Sequence, residues 1–185
     1  MDISSVNNFF GDIDMDLLDM ILKGHFEGQN KILEIGCGGG RNLIHFLQSG
    51  FDIYTIDKDP SAVQMARYIY QEMDVNPVGK VFTEDISSTP FDDGFFDSII
   101  CTRVLHFSED EISFRSRWNE INRILKRDGF LFCTIDSMLG GLEGKLGEDD
   151  YTEPLSILIE SANRNNLFNF FGSIAFKNQL KDRLK

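Results

Sequence analysis

Residues 31–42 limit what this chain can fold into more than any other part of the sequence. They begin as a short apolar run, break at a cluster of glycines, and lead into residues 43–47, where apolar side chains recur at helical spacing. Glycine permits a positive φ and a close approach of the backbone to a ligand, and the first turn of a helix presents unpaired N–H groups. The segment therefore predicts a strand, a turn and a helix that bind a nucleotide-like ligand.

A carboxylate follows the next strand-like segment. Residues 51–56 have the composition of a strand, and Asp57 comes directly after them. This acid lies about 20 residues beyond the first glycine, where it can accept hydrogen bonds from both hydroxyls of a ribose. The NAD-binding pattern G-x-G-x-x-G fits Gly36 and Gly38 but requires glycine where Arg41 stands. The pattern therefore disfavours an NAD-dependent dehydrogenase.

Six segments resemble, in order and spacing, the motifs of class I S-adenosylmethionine-dependent methyltransferases. They are residues 34–40, Asp57, residues 59–62, residues 84–86 with 90–91, residues 96–100, and residues 123–131. The resemblance extends from about residue 31 to 135, and the Gly40-Arg41-Asn42 turn also resembles the tellurite-resistance-like and thiopurine-like branches. It implies S-adenosylmethionine as the cofactor and methyl transfer to a small-molecule acceptor. A dehydrogenase would leave the motif around Asp85 unexplained.

Strand-like and helix-like patterns alternate along the chain. Strands are predicted at residues 31–35, 51–56, 78–82, 95–101 and 130–135. Such alternation predicts a parallel sheet with helices on both faces, which binds ligands at the carboxyl ends of its strands. The resemblance implies the matching α/β fold, a doubly wound, Rossmann-like and mostly parallel sheet with a shortened C-terminal part.

We expect one methyltransferase domain over residues 1–185. Residues 1–30 are expected to cover the site, residues 31–135 to form the cofactor-binding core, and residues 136–185 to form the short C-terminal part. For residues 167–176 the pattern fits both a hairpin and a helix, and the sequence leaves this open.

Capping signals predict where several helices begin and end. Asp14 and Asp59 are each placed to cap a helix, and a proline follows Asp59 at the first helical position. After the fourth strand, Ser108 with Glu111 has the form of a capping box, and Gly129 is expected to end the helix that follows.

The resemblance implies cofactor contacts at the ends of the strands. Glu34 complements the ammonium of the methionine portion, and Asp57 accepts from the ribose hydroxyls. Asp85 accepts a hydrogen bond from the adenine amino group, and Ile86 donates its backbone N–H to the ring. Each acid has a structural alternative, since Glu34 could pair with an arginine and Asp57 or Asp85 could simply begin a turn. The expected cofactor-binding residues are Glu34, Gly36, Cys37, Gly38, Gly40, Asn42, Asp57, Lys58, Asp85, Ile86, Cys101 and Thr102.

Fewer residues point to the acceptor. His106 could be a general base, because the pKa of a histidine lies near neutrality, or a packing residue. Arg103 could bind an anionic substrate or pair with a surface acid. Phe9 and Phe10 could contact the ligands as part of a lid or could pack in the core. A second function stays open, namely a non-catalytic S-adenosylmethionine-binding protein or a regulatory methyltransferase-like subunit.

Composition narrows the remaining possibilities. The formal net charge of −12 disfavours nucleic acid as a substrate. No apolar run reaches the roughly 20 residues of a membrane span, and we expect a cytoplasmic protein with no membrane partner. Cys37, Cys101 and Cys133 lack the spacing of a disulfide framework or a metal site, so no metal is expected. Their strands are expected to be neighbours, which leaves a thiol cluster for a soft metalloid as the alternative to buried packing. The sequence does not indicate the oligomeric state.

Overall fold

The computed structural model describes residues 11–28 and 31–134 of the chain. Its elements are α1 (Met15–Leu22), β1 (Lys31–Ile35), α2 (Leu43–Gln48), β2 (Asp52–Asp57), α3 (Pro60–Glu72), β3 (Val81–Thr83), β4 (Phe96–Thr102), a 3₁₀ turn (Leu105–Phe107), α4 (Glu111–Ile124) and β5 (Leu125–Thr134). The expectations for Phe9, Phe10, the hairpin or helix at 167–176 and the short C-terminal part lie outside the described residues.

The five strands form one sheet in the order β3-β2-β1-β4-β5, and all four pairings are parallel. The chain starts at the centre of the sheet, moves outward to β3, and then returns across β1 to β4. This reversal confirms the doubly wound, Rossmann-like fold. The carboxyl ends of β1 and β4 adjoin each other at the reversal, which is where open α/β sheets bind ligands.

Helices cover both faces of the sheet, so side chains of both strand faces are buried. Ile32 of β1 packs on one face with α1, α2 and α3, and its neighbour Leu33 packs on the other face with α4. This alternation follows from the two-residue period of a strand. No helix within the described residues has the length and apolar character needed to cross a bilayer.

Two of the predicted helix caps are confirmed. The side chain of Asp14 accepts hydrogen bonds from the backbone of Asp16 and Leu17 at the start of α1. The side chain of Asp59 accepts one from the backbone of Ser61 at 2.8 Å, and Pro60 occupies the first position of α3. Both signals are local in sequence, which is why they can be recognised there.

The predicted capping box at Ser108 is wrong. Asp110 caps α4 instead, and it exchanges hydrogen bonds with Ser113. Ser108 is engaged elsewhere, because its backbone N–H closes the 3₁₀ turn onto Leu105 and its hydroxyl accepts a hydrogen bond from Arg117 at 3.2 Å.

The predicted helix end at Gly129 is also wrong, since α4 ends at Ile124 and the chain enters β5 at once. Leu125 pairs with Phe96, and pairing resumes at Phe130 after an irregular stretch. A Cβ on Gly129 would lie 2.9 Å from the carbonyl oxygen of Asp97, so glycine here allows a close approach of two strands. The third strand begins later than predicted, at Val81, because a turn precedes it.

Candidate functional site

A cleft of about 240 Å³ opens at the carboxyl ends of the central strands. It is lined by Ile35, Gly36, Gly38, Ile56, Asp57, Lys58, Glu84, Asp85, Ile86, Arg103, Val104, Phe107 and Arg117. Seven of the residues singled out in the sequence therefore meet in one cavity, namely Gly36, Gly38, Asp57, Lys58, Asp85, Ile86 and Arg103. Among the described residues, the other predicted site residues do not line it, namely Glu34, Cys37, Gly40, Asn42, Cys101, Thr102 and His106.

The glycines of the turn after β1 serve different purposes. Gly36, with φ of 71°, lies so close to Val104 that a Cβ would clash with the side chain of that residue. A Cβ on Gly40 would clash with Ile69 of α3 in the same way. Gly38, with φ of 50°, has no atom of the described residues, apart from its two chain neighbours, within 4 Å of the position of a Cβ. Gly36 and Gly40 thus permit packing, whereas Gly38 leaves open space beside the cleft.

Asp57 ends β2 and holds the glycine turn in place. One of its carboxylate oxygens accepts a hydrogen bond from the backbone N–H of Gly38 at 3.0 Å, and the other accepts from Asp59 at 2.9 Å. Each oxygen of a carboxylate has two lone pairs, so both retain capacity for a ligand hydroxyl. Asp57 is therefore a turn residue, and its geometry is also compatible with ribose binding.

Glu34 of β1 is buried, with 1% of its surface exposed. Its Oε1 accepts a hydrogen bond from Asn42 at 2.9 Å, and its Oε2 has no partner among the described residues. Burial raises the pKa of Glu34 to about 8. The hydrogen bond from Asn42 and the nearby charge of Arg41 favour the ionised form and oppose this increase, but they do not outweigh burial. A buried carboxylate oxygen without a partner is costly and fits a cationic ligand group.

The alternative pairing of Glu34 with an arginine does not occur among the described residues, because Arg41 pairs with Asp14 at 2.8 Å. Asn42, expected to bind cofactor, is buried between two protein groups. It donates to Glu34 and accepts from the backbone of Asp14. Its side chain acts on Glu34 and does not line the cleft.

Asp85 follows β3 and faces the same cleft. It accepts a hydrogen bond from the backbone of Ser87 at 2.8 Å, so it begins a turn as the alternative interpretation predicts. Its other oxygen lies 3.7 Å from a guanidinium nitrogen of Arg117. Burial would raise the pKa of Asp85, but the hydrogen bonds from Ser87 and the charges of Arg117 and Lys58 hold it below its usual value. The carboxylate is thus available as an acceptor.

The three cysteines do not converge. Cys37 packs on one face of the sheet, while Cys101 and Cys133 are neighbours in β4 and β5 and pack on the other. Burial raises the pKa of Cys37 to about 12. The thiol cluster for a metalloid is therefore wrong. In residues 11–28 and 31–134 no three histidine, cysteine or acidic side chains are arranged to hold a metal ion.

The loop after β4 borders the cleft on its other side. Arg103 has a left-handed φ of 56°, and its backbone N–H donates to Thr134 at the end of β5. Phe107 lines the cleft with 64% of its surface exposed. His106 is half-buried beside it, does not line the cleft, and has a buried Nδ1 without a partner among the described residues.

Sequence reasoning missed Phe107 and Arg117. Arg117 lies beside the buried Trp118 on α4, where an arginine usually faces solvent. Its guanidinium reaches Asp85 and Ser108 only because α4 packs beneath both loops. No local pattern reveals such a contact.

Residues 33–133, more than half of the chain, match the family model described as a methyltransferase domain. The chain is 30% identical over 121 residues to the uncharacterized methyltransferase YcgJ of Bacillus subtilis. The aligned residues cover 65% of this chain and 46% of YcgJ. It is 32% identical over 91 residues to the ubiquinone biosynthesis O-methyltransferase of Alkalilimnicola ehrlichii. The aligned residues cover 49% of this chain and 36% of that protein. The chain thus spans less than half the length of these two relatives.

Solved structures show the same fold. The crystal structure of YcgJ has a TM-score of 0.54 at 26% identity, over 65% of this chain and 50% of that one. An S-adenosylmethionine-dependent methyltransferase from Clostridium acetobutylicum has a TM-score of 0.58 at 16% identity, over 72% and 56% of the two chains. The second likeness is one of fold alone.

Proposed function

This chain belongs to the methyltransferase domain family, and we propose that it transfers the methyl group of S-adenosylmethionine to a small-molecule acceptor. S-adenosylmethionine is the cofactor that the family match implies. The observation that carries the proposal is the cleft in which the open turn at Gly38 meets the carboxylates of Asp57 and Asp85. The relative named for O-methylation in ubiquinone biosynthesis supports a small organic acceptor.

The residues around the cleft fit this cofactor. Oε2 of Glu34, which has no partner in the described part of the chain, suits the ammonium of the methionine portion, and the lone pairs left on Asp57 suit the ribose hydroxyls. Asp85, held ionised, suits the adenine amino group. Gly38 leaves room where any other residue would project a side chain. When bound, the cofactor supplies a methyl group already activated by its sulfonium.

Because the methyl group arrives activated, the main tasks of the protein are to bind, to orient and to exclude water. The loop after β4 is suited to the acceptor. Val104 and Phe107 give this side of the cleft an apolar wall, and Arg103 can bind an anionic group of the acceptor. We propose His106 as the general base, since it lies in the 3₁₀ turn directly before Phe107, which lines the cleft. A base next to the cleft can reach the acceptor only if the acceptor approaches the 3₁₀ turn.

Calorimetric titration with S-adenosylhomocysteine and with NAD tests the cofactor. Binding of S-adenosylhomocysteine without binding of NAD is the expected result, and the reverse would refute the proposal. Turnover of methyl-labelled S-adenosylmethionine against a fractionated metabolite pool tests the reaction. Label should appear in a small-molecule fraction. Cofactor binding without label transfer to any fraction would instead support the non-catalytic alternative.

A further inference from the structure

We propose that Asp14 is a positioning residue for cofactor binding, which holds the carboxylate of Glu34 in place through Asn42 and so joins α1 to the methionine end of the site. The inference rests on the proposed function, because it takes the cofactor as the ligand of Glu34. Asp14 does not line the cleft, and it lies 20 positions before Glu34 in the chain. Its effect must therefore pass through the contacts between them.

Two buried hydrogen bonds connect Asp14 to Glu34. The backbone N–H of Asp14 donates to Oδ1 of Asn42 at 3.1 Å, and Nδ2 of Asn42 donates to Oε1 of Glu34 at 2.9 Å. A backbone N–H can only donate, so Asn42 must turn its oxygen toward Asp14 and its NH₂ toward Glu34. Asp14 thereby determines the orientation of the amide. The exposed fractions are 9%, 1% and 1% for Asp14, Asn42 and Glu34, so water does not compete for these bonds.

The side chain of Asp14 fixes the position of this backbone N–H. One carboxylate oxygen caps α1 by accepting from the backbone of Asp16 and Leu17, and the other accepts from Arg41 at 2.8 Å. Arg41 directly precedes Asn42. Asp14 thus clamps two consecutive residues of the glycine turn, one with its backbone and the other with its carboxylate.

The clamp matters because Glu34 is buried and its ionised form needs support. Asn42, by its hydrogen bond, and Arg41, by its charge, both favour the carboxylate against burial, while the charge of Asp57 opposes it. Asp14 holds both of the supporting groups. Oε2 of Glu34, which has no partner among the described residues, is then held in one orientation before an ammonium reaches it. A group that is already oriented binds its ligand more tightly than one that must be ordered on binding.

Two probes separate this role from a general effect on folding. S-adenosylhomocysteine carries the amino acid portion, whereas 5′-methylthioadenosine shares its adenosine and sulfur but lacks the ammonium. We expect Asp14→Ala in the full chain to weaken S-adenosylhomocysteine binding on the order of 10-fold, by analogy with the partners that orient metal ligands. Affinity for 5′-methylthioadenosine should change less than about 2-fold, within the ordinary scatter of additive effects. Glu34→Gln should give the same selective loss.

Asp110→Ala is the matched control. Asp110 also caps a helix with its carboxylate, but it has no contact with the glycine turn. It should reduce the stability of the chain without selectivity between the two probes. The double variant Asp14→Ala/Glu34→Gln should bind S-adenosylhomocysteine no more weakly than Glu34→Gln alone, because both changes remove one interaction.

Three outcomes would overturn the inference while leaving the proposed function intact. They are unchanged S-adenosylhomocysteine affinity in Asp14→Ala, an equal loss for both probes, and additive losses in the double variant. If Asp14→Ala does not fold, Asp14→Asn keeps the cap and removes the charge that holds Arg41, and it must still show the selective loss. If the unaltered chain binds neither probe, the proposed function itself fails.

Discussion

Gly36 and Gly38 give a matched pair of substitutions, because both have a left-handed backbone and only one is crowded. Their φ values are 71° and 50°. A Cβ at residue 36 would clash with the side chain of Val104, whereas a Cβ at residue 38 would have nothing from residues 11–28 and 31–134 within 4 Å except its chain neighbours. Alanine at either position keeps the charge and the polarity of the turn unchanged. The difference between the two variants should therefore isolate the clash.

The expected loss of stability has two parts, the cost of a left-handed backbone and the cost of the clash. A residue with a Cβ in a left-handed conformation costs about 1–2 kcal/mol relative to glycine. Overpacking by a methyl group adds about 1–3 kcal/mol. Gly36→Ala should thus lower the free energy of unfolding by about 2–5 kcal/mol, and Gly38→Ala by about 1–2 kcal/mol.

Urea unfolding of the ligand-free chain measures both values. Val104→Ala removes the atoms that a new Cβ at residue 36 would strike, so in that background Gly36→Ala should cost only the backbone term. S-adenosylhomocysteine affinity should respond in the opposite order, since the methyl group of Gly38→Ala projects beside the cleft. Equal destabilisation by the two alanines, or no relief from Val104→Ala, would refute the packing explanation.

Three further predictions concern the ligands. Asp57→Ala should weaken S-adenosylhomocysteine and 5′-methylthioadenosine alike, by about 1.5–3 kcal/mol in calorimetry, because both carry the ribose that this carboxylate would bind; a loss confined to one probe would contradict that role. The pKa of Glu34 is raised to about 8 from 4.5, so the ligand-free fold binds a proton that the unfolded chain releases, and its stability should fall as pH rises from 4.5 to 8. An ammonium ligand requires the ionised form, so S-adenosylhomocysteine affinity should instead increase up to about pH 8, and Glu34→Gln should abolish this dependence. His106→Ala should leave cofactor affinity nearly unchanged and lower the rate with the true acceptor by roughly 10²–10⁴-fold, and an unchanged rate would assign His106 to packing.

The elements that could be predicted from sequence are those with local causes. The apolar strands and the caps at Asp14 and Asp59 each depend on a few neighbouring residues. The start of α4 could not be predicted, because Ser108 and Asp110 are both suitable caps. In the structure Asp110 makes the cap, while the Ser108 hydroxyl accepts a hydrogen bond from Arg117, nine positions further along the chain.

The same distinction applies to the site. Asp57 and Asp85 could be located in advance because a parallel sheet brings the carboxyl ends of its strands to one edge. Arg117 reaches that edge from a helix, and Phe107 reaches it from a 3₁₀ turn that no sequence signal marks. These contacts depend on how α4 packs, which is a property of the whole fold. The side of the cleft proposed for the acceptor is therefore harder to predict than the side proposed for the cofactor.

The glycine turn shows why a matched motif is not a list of ligand contacts. Gly36 and Gly38 line the cleft, yet Gly36 must also lack a side chain because Val104 packs closely against it. Gly40 must lack a side chain because Ile69 packs closely against it, and Asn42 is buried between Asp14 and Glu34. A substitution at any of these positions can lower cofactor affinity, but by different routes. Two measurements on each variant are needed, its stability and its affinity for ligands with and without the ammonium. Together they distinguish residues that would contact the cofactor from residues that only shape its site.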